Sequence, residues 1–374
     1  MQAQKLLNCV VVILTLLASS TAYSSSHFTT DEFFFSTNNN EKLNGIVSRP
    51  IGQDAKSIVI VAHSYGSTNV VKGNEYNQLR SQLTSKGISV VIWDKPGCGK
   101  SEGEFDINQS VKSSANEILD AIKYLRQKNE PGLDQIGIFG GSRGGWIAPL
   151  AINEETSNIK FWISVSGTDA YENWDYLIRS SLEIEGYSQS EIDDIYGSLV
   201  SGNRVFWNGG DYVEYLAASK LYKQNKTIKK ITGEEYIEYK PGSKEYETDK
   251  KLYKQNQKKS LSNGHSFDDE AGLVVVVKDF EKMLSSFSIP VLAIFGGKDK
   301  NVDWRSTKAL YEKAFGEKLT VKVYENADHA LRLSKTGGYL ESQEKSYQDY
   351  PYVDGFYDVI LEWLCSNGFC HYSL

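Results

Sequence analysis

The stretch Gln135-Ile136-Gly137-Ile138-Phe139-Gly140-Gly141-Ser142-Arg143-Gly144-Gly145-Trp146 decides the reading of the chain. A β-type apolar run ends in Gly-x-Ser-x-Gly, and a helix-compatible run from Trp146 to Ile152 follows at once. This is the pattern of a nucleophile elbow, in which a serine sits on a strained strand-to-helix turn at the top of a sheet. Gly140 and Gly144, two residues either side of Ser142, let strand and helix approach closely and permit an unusual backbone at the turn. A serine at a helix N-terminus meets free N–H groups and the positive end of the helix dipole, and both favour a developing oxyanion. The expectation is a nucleophilic serine at position 142.

Working outward, the flanking segments alternate strand with helix. Ser57–Ala62 and Ile88–Trp93 are continuous apolar, β-branched runs, typical of strands covered on both faces. A helical period over Tyr76–Leu83 ends at Gly87, and Val111–Leu125 reads as a long amphipathic helix. Lys160–Val165 is a further strand, and Glu32–Ser36 with Lys42–Val47 reads as a hairpin across an Asn-rich turn. This rhythm predicts an α/β fold with a mostly parallel sheet covered by helices on both faces. It breaks between about Gly167 and Ser288, where Tyr, Lys, Glu and Asn dominate. It resumes with the strand Ile289–Phe295, a helix near Thr307–Phe315, the strand Leu319–Tyr324 and a helix near Val353–Leu364. The core is thus expected over residues 23–166 and 289–374, with 167–288 inserted as a cap or lid. Within the insertion Lys220–Asn225 recurs as Lys251–Asn256, which suggests a duplicated helical hairpin, and Leu273–Val277 fits a strand or a buried helical turn.

The chain has 374 residues and a net charge of −7, with no dominant basic segment, so nucleic acid is not an expected partner. Residues 1–22 carry one charge, Lys5, an apolar stretch over Val10–Ala18 and the small residues Ser20-Thr21-Ala22. They read as a secretory signal peptide, too short in its apolar run for a membrane span, which predicts a secreted or periplasmic protein. An oxidising compartment makes the cysteines informative. Cys365 and Cys370 flank Ser-Asn-Gly-Phe and are candidates for a small disulfide loop, with Cys98 left over; the spacing leaves a pairing with Cys98 open.

A serine hydroxyl needs a neighbouring base, itself oriented by a third group. Among five histidines, His329 alone lies just beyond the end of a late strand, the edge where open α/β sheets place their sites. The carboxylate is expected beyond an earlier strand, in the order Ser, Asp, His. Asp299 in Gly296-Gly297-Lys298-Asp299 is the candidate; Asp303 is the fallback, and reads equally well as the N-cap of the next helix. Asp328, beside the histidine, is expected to point elsewhere. Two N–H donors are needed for an oxyanion: Arg143 supplies one, and Tyr65 or Ser64 the other, with Tyr65 favoured. His63 is expected to hold its turn together rather than to titrate in catalysis. Gly97-Cys98-Gly99-Lys100-Ser101 imitates the end of a phosphate-binding loop, but the first glycine of that motif would fall at Asp94. No Cys/His cluster has zinc spacing, so neither a metal nor a cofactor is expected.

Taken together, His63-Ser64-Tyr65-Gly66, Asp94 through Gly103, Gly140 through Gly145, Gly296 through Asp299 and Asn326 through His329 resemble the α/β-hydrolase fold superfamily in kind and order. Trp146-Ile147-Ala148-Pro149 after the elbow is similar to secreted bacterial esterases and to hydrolases grouped with serine aminopeptidases. The resemblance implies that the insertion takes the place of the cap between the sixth and seventh strands. Ser64 departs from the usual glycine after the histidine, and Arg143 is bulky and charged beside the nucleophile.

The expected function is that of a secreted serine hydrolase, a carboxylic ester hydrolase working through an acyl-enzyme on a small-molecule or peptide substrate under the cap. One alternative is a serine aminopeptidase, for which Glu183, Glu185, Asp193 and Asp194 offer carboxylates to hold a free N-terminus. Another is a binding protein that keeps the fold without catalysis, since fold alone does not establish function.

Overall fold

The computed structural model describes residues 28–154, 159–233 and 236–371. The expected signal segment 1–22 lies outside them. An eight-stranded sheet dominates the molecule. In chain order its strands are β1 (Phe28–Ser36), β2 (Lys42–Pro50), β3 (Ser57–Ala62), β4 (Ile88–Trp93), β5 (Ile136–Gly141) and β6 (Ile159–Val165). A separate two-stranded hairpin, β7 (Ser266–Asp268) with β8 (Leu273–Val275), precedes β9 (Val291–Gly296) and β10 (Leu319–Tyr324). The order across the large sheet is β1-β2-β4-β3-β5-β6-β9-β10. The β1–β2 and β2–β4 pairs are antiparallel, and every other pair is parallel.

Strand alternation explains why the sheet needs cover on both sides. Successive side chains point to opposite faces, and along β3 Ile58, Ile60 and Ala62 enter one core while Val59 and Val61 enter the other. The first core is closed by the helices Val111–Gln127, Gly144–Glu154 and Trp304–Phe315. The second is closed by Asn77–Thr84 and Phe356–Ser366. All six residues of β3, β4 and β9 are buried, whereas the edge strand β10 is partly exposed along its length. Cys365 and Cys370 are disulfide-bonded at the end of the last helix, and Cys98 is a buried free thiol.

Between β6 and β9 the chain forms a helical insertion. Its longest members are Gln189–Trp207 and Lys244–Ser262. Capping boxes open two of its helices: Ser188 with Glu191, and Asp211 with Glu214, each exchange side-chain bonds with the other's backbone N–H. One small core joins Leu177, Ile178, Leu182, Ile192, Ile195 and Leu199 to Ile228, Ile231 and Tyr339. A second consists of Tyr212, Tyr246 and Tyr253, with Tyr212 centred 5.4 and 5.5 Å from the other two rings. The end of the insertion returns to the main body, because Val276, Val277, Phe280 and Leu284 pack in the first sheet core.

One reading of the insertion changes in the structure, and one left open is decided. Lys220–Asn225 and Lys251–Asn256 are not copies of one element. The first is a short helix, Lys220–Gln224, whose following Asn225 caps the next helix by accepting from Thr227 and Ile228. The second lies in the middle of Lys244–Ser262. The hexapeptide is compatible with helix, and its neighbours decide where that helix stops. Leu273–Val275 forms a strand, and Val276 and Val277 both donate to the Ala170 carbonyl. Among the described residues no helix is long and apolar enough to cross a membrane, and no group of three His, Cys, Asp or Glu side chains could hold a metal ion.

Candidate active site

Ser142 follows β5 directly and has φ 51°, a left-handed conformation that a non-glycine residue rarely adopts. The surroundings hold it there. Its N–H donates to the Val165 carbonyl at the end of β6, and its carbonyl accepts from the Gly145 N–H at 2.7 Å as the helix begins. Gly140 and Gly144 permit the crossing of strand and helix: a Cβ on Gly140 would stand 2.8 Å from the Gly144 carbonyl oxygen.

Two loops from the far half of the chain complete a row. His329 Nε2 lies 2.9 Å from Ser142 Oγ, and its Nδ1 lies 2.7 Å from Asp299 Oδ2. A carboxylate at Nδ1 can only accept, so the ring proton belongs on Nδ1 and the Nε2 lone pair faces the serine hydroxyl. Asp299 is fixed through Oδ1, which accepts from the Asn301 and Val302 amides at 2.8 and 3.0 Å. The turn carrying it is tied to the histidine loop, since Lys298 N–H donates to the Ala327 carbonyl and Gly297 N–H to that of Tyr324. Ser166 Oγ donates to the His329 carbonyl. Asp299 is 1 % exposed, His329 3 % and Ser142 9 %. Burial pulls the His329 pKa down, but the Asp299 carboxylate, with a smaller contribution from Asp328, outweighs it and leaves the imidazole above its ordinary value.

The neighbouring carboxylates do other work. Asp303 caps the helix Trp304–Phe315 by accepting from the Arg305 and Ser306 amides. Asp328 accepts from the Ala330 and Arg332 amides and from the Tyr347 hydroxyl, so it braces the histidine loop from behind. His63 is edge-on to Trp93, with ring centroids 5.4 Å apart. Burial, with Lys95 and Arg143 nearby, pushes its pKa down to about 3, so it stays neutral.

The loop after β3 approaches the elbow from the other side. Ser64 Oγ donates to the Gly141 carbonyl at 2.8 Å, which gives this serine a use that glycine could not serve. The Arg143 guanidinium is buried, donates to Ser114 Oγ and the Gln109 carbonyl, and lies 5.4 Å from the centre of the Tyr65 ring. Among the described residues the N–H groups of Arg143 and Tyr65 donate to no other backbone or side-chain group.

Sequence reasoning passed over the segment after β6. Glu172 lies 3.5 Å from the Tyr65 hydroxyl, Tyr176 OH donates to the Asp299 carbonyl, and Asn173 Oδ1 accepts from the Asp303 amide. Burial pushes Glu172 up to about 7, and Asp169 and Asp175 up to about 6. By contrast Glu183, Asp193 and Asp194 on helices and Glu185 just past a helix end are exposed, with Glu185 paired to Lys230 and Asp193 to Arg179. A carboxyl whose folded pKa exceeds its unfolded value of 4.5 helps the fold while protonated, and that contribution is lost as the pH rises through about 7. Glu172→Gln is neutral at every pH. Its Tm is expected to match that of the wild type near pH 4.5 and to exceed it by about 2 °C at pH 8. A lower Tm at pH 8 would contradict burial as the cause of the shift.

A mostly parallel sheet covered on both faces, with a serine at the sharp turn between β5 and its helix, defines an α/β-hydrolase fold protein. The model of the serine aminopeptidase family S33 matches residues 53–185, from before β3 to the first helix of the insertion. A comparison with curated proteins found no match. Similar solved structures include an esterase of Pyrococcus furiosus, 15 % identical, with a TM-score of 0.49 over 91 % of this chain and 93 % of that one. Est1E of Butyrivibrio proteoclasticus, solved with ferulic acid, is 14 % identical, with a TM-score of 0.48 over 90 % and 97 % of the two chains. An acylaminoacyl peptidase of Pyrococcus horikoshii is 14 % identical, with a TM-score of 0.49 over 93 % of this chain and 43 % of that one. The fold assignment rests on the strand order and the elbow rather than on these likenesses.

Proposed function

We propose that the protein is a serine hydrolase that cleaves carboxylic esters through an acyl-enzyme. The observation that carries this reading is the row of hydroxyl, imidazole and carboxylate, with contacts of 2.9 and 2.7 Å. Ser142 Oγ attacks the ester carbonyl carbon while its proton passes to His329 Nε2. The carbonyl oxygen becomes an oxyanion and accepts from the Arg143 and Tyr65 amides. Asp299 keeps the Nδ1 proton in place and stabilises the imidazolium. As the tetrahedral adduct collapses, the bond to the leaving alkoxide breaks and the Nε2 proton goes to that oxygen. Water then attacks the acyl group by the same route, and Ser142 recovers its proton. In the same reading the insertion is a cap over a small substrate, and residues 1–22 direct the protein out of the cytoplasm.

A second reading, an aminopeptidase, has one observation in its favour. Asp169, Glu172 and Asp175 sit in the segment that touches both Tyr65 and the Asp299 turn, where an ammonium could be received. Glu172, raised to about 7, is half protonated at neutral pH and so a weaker partner for a cation, whereas Asp169 and Asp175, at about 6, are mostly ionised there. Turnover of p-nitrophenyl butyrate and of an aminoacyl p-nitroanilide, each corrected for the rate of Ser142→Ala, separates the two. The ester is expected to have a kcat/KM at least about 100-fold higher. A preference for the nitroanilide, lost in Glu172→Gln, would make the protein a peptidase.

A further inference from the structure

A peptide unit is planar and trans, so its N–H and its C=O point in opposite directions and cannot be aimed separately. The Tyr65 N–H belongs to the Ser64–Tyr65 peptide, and the carbonyl of that same unit accepts from Lys95 Nζ. Nζ also donates to the Gly66 carbonyl at 2.7 Å, so one amino group holds the chain on both sides of Tyr65. At the other donor, the carbonyl sharing a peptide with the Arg143 N–H is that of Ser142, and the first turn of the elbow helix holds it through Gly145. The loop after β3 has no helix to do this. Ser64 Oγ on Gly141 and Lys95 N–H on Thr68 Oγ anchor its two ends, but neither touches the Tyr65 peptide.

Lys95 follows β4 and is 6 % exposed. Burying an ammonium is costly, and the hydrogen bonds given to Nζ go to carbonyls rather than to a carboxylate. An apolar side chain would fill the space at lower cost if packing were the whole purpose. Burial, with Arg143 nearby, pushes the Lys95 pKa down to about 7. Nζ donates in either protonation state, and below that pH its charge also polarises the peptide and strengthens the N–H as a donor.

We propose that Lys95 is a positioning residue for the oxyanion donor Tyr65: by holding the Ser64 carbonyl, its buried side chain aims and strengthens the N–H on the opposite edge of that peptide. This rests on the acyl-enzyme reading above. The hydrogen bonds that Lys95 donates go to Thr68, Ser64 and Gly66 and not to Ser142, His329 or Asp299, so its effect is expected on the transition state rather than on substrate binding.

The test compares wild type, Lys95→Met, Lys95→Gln and Ser142→Ala on p-nitrophenyl butyrate and on its thiono counterpart, in which sulfur replaces the carbonyl oxygen. Lys95→Met is expected to lower kcat for the ester by about 100-fold, as for the loss of one oxyanion donor, with KM within about twofold. The ratio of ester to thionoester rates should fall as well, because donors no longer aimed at oxygen discriminate less against the larger sulfur. Lys95→Gln, which keeps an N–H donor on a shorter stem, should lie between, and is read on the same two axes if the Met variant does not fold. An unchanged kcat and ratio in a folded variant, or a loss carried by KM, would overturn the proposal while leaving the acyl-enzyme reading intact. Wild-type turnover by Ser142→Ala would overturn both.

Discussion

Ser142→Ala and His329→Ala are each expected to lower kcat for a short-chain ester by on the order of 10⁶-fold, and the double variant no further. The reason is that the two groups act as one unit. Without the imidazole, the hydroxyl has no acceptor for its proton; without the hydroxyl, the imidazole has no nucleophile to activate. Their 2.9 Å contact is the physical form of that dependence. What remains in either single variant is the stabilisation supplied by the amides and by binding, so the residual rates should coincide. Additive losses in the double variant would mean that the two side chains act independently. Ser142→Ala removes a single hydroxyl, and in His329→Ala the Asp299 carboxylate is still held by the Asn301 and Val302 amides, so circular dichroism of the variants should be unchanged.

Asp299→Asn is expected to lower kcat by about 10⁴-fold, since an amide at Nδ1 no longer fixes the productive tautomer or balances the imidazolium. Asp303→Asn is the control, because asparagine serves as a helix N-cap about as well as aspartate does and the rate should stay within about threefold. The pH profile gives an independent reading. His329 must be neutral to take the serine proton, so activity falls as the pH drops through its pKa. Burial lowers that pKa and Asp299 raises it by more, which places the acidic limb of kcat/KM above the ordinary histidine value of 6.5. Removing the Asp299 charge leaves burial opposed only by Asp328, the smallest of the raising effects, and the limb of the residual activity should move to lower pH. A limb that stays in place would assign the titration to another group.

Much of this arrangement could be read before any coordinates, and the reason is local. The buried strands announce themselves as unbroken β-branched runs, and the elbow requires glycines at fixed offsets from its serine. Histidine is scarce enough in this chain for position to single out His329. The insertion was less legible in part because one of its two cores uses tyrosine where aliphatic residues are usual. In the helix Lys244–Ser262 the buried residues are Tyr246 and Tyr253, so an apolar stripe scarcely shows. The repeated hexapeptide misled because identical residues became a short helix in one context and a helix interior in the other. Glu172 and Lys95 were invisible for a different reason. Each acquires its meaning from residues distant in the chain, Tyr65 in one case and the Ser64 and Gly66 carbonyls in the other.

The claim on which the rest depends is that Ser142 is an activated nucleophile. Treating the intact protein with a fluorophosphonate and mapping the adduct by peptide mass spectrometry tests it most directly. The account predicts one adduct, on the peptide containing Ser142, with ester turnover lost in proportion to labelling and no adduct in His329→Ala over the same time. An unlabelled Ser142 in protein that still turns over esters, or an adduct on another serine that tracks the loss of activity, would contradict it.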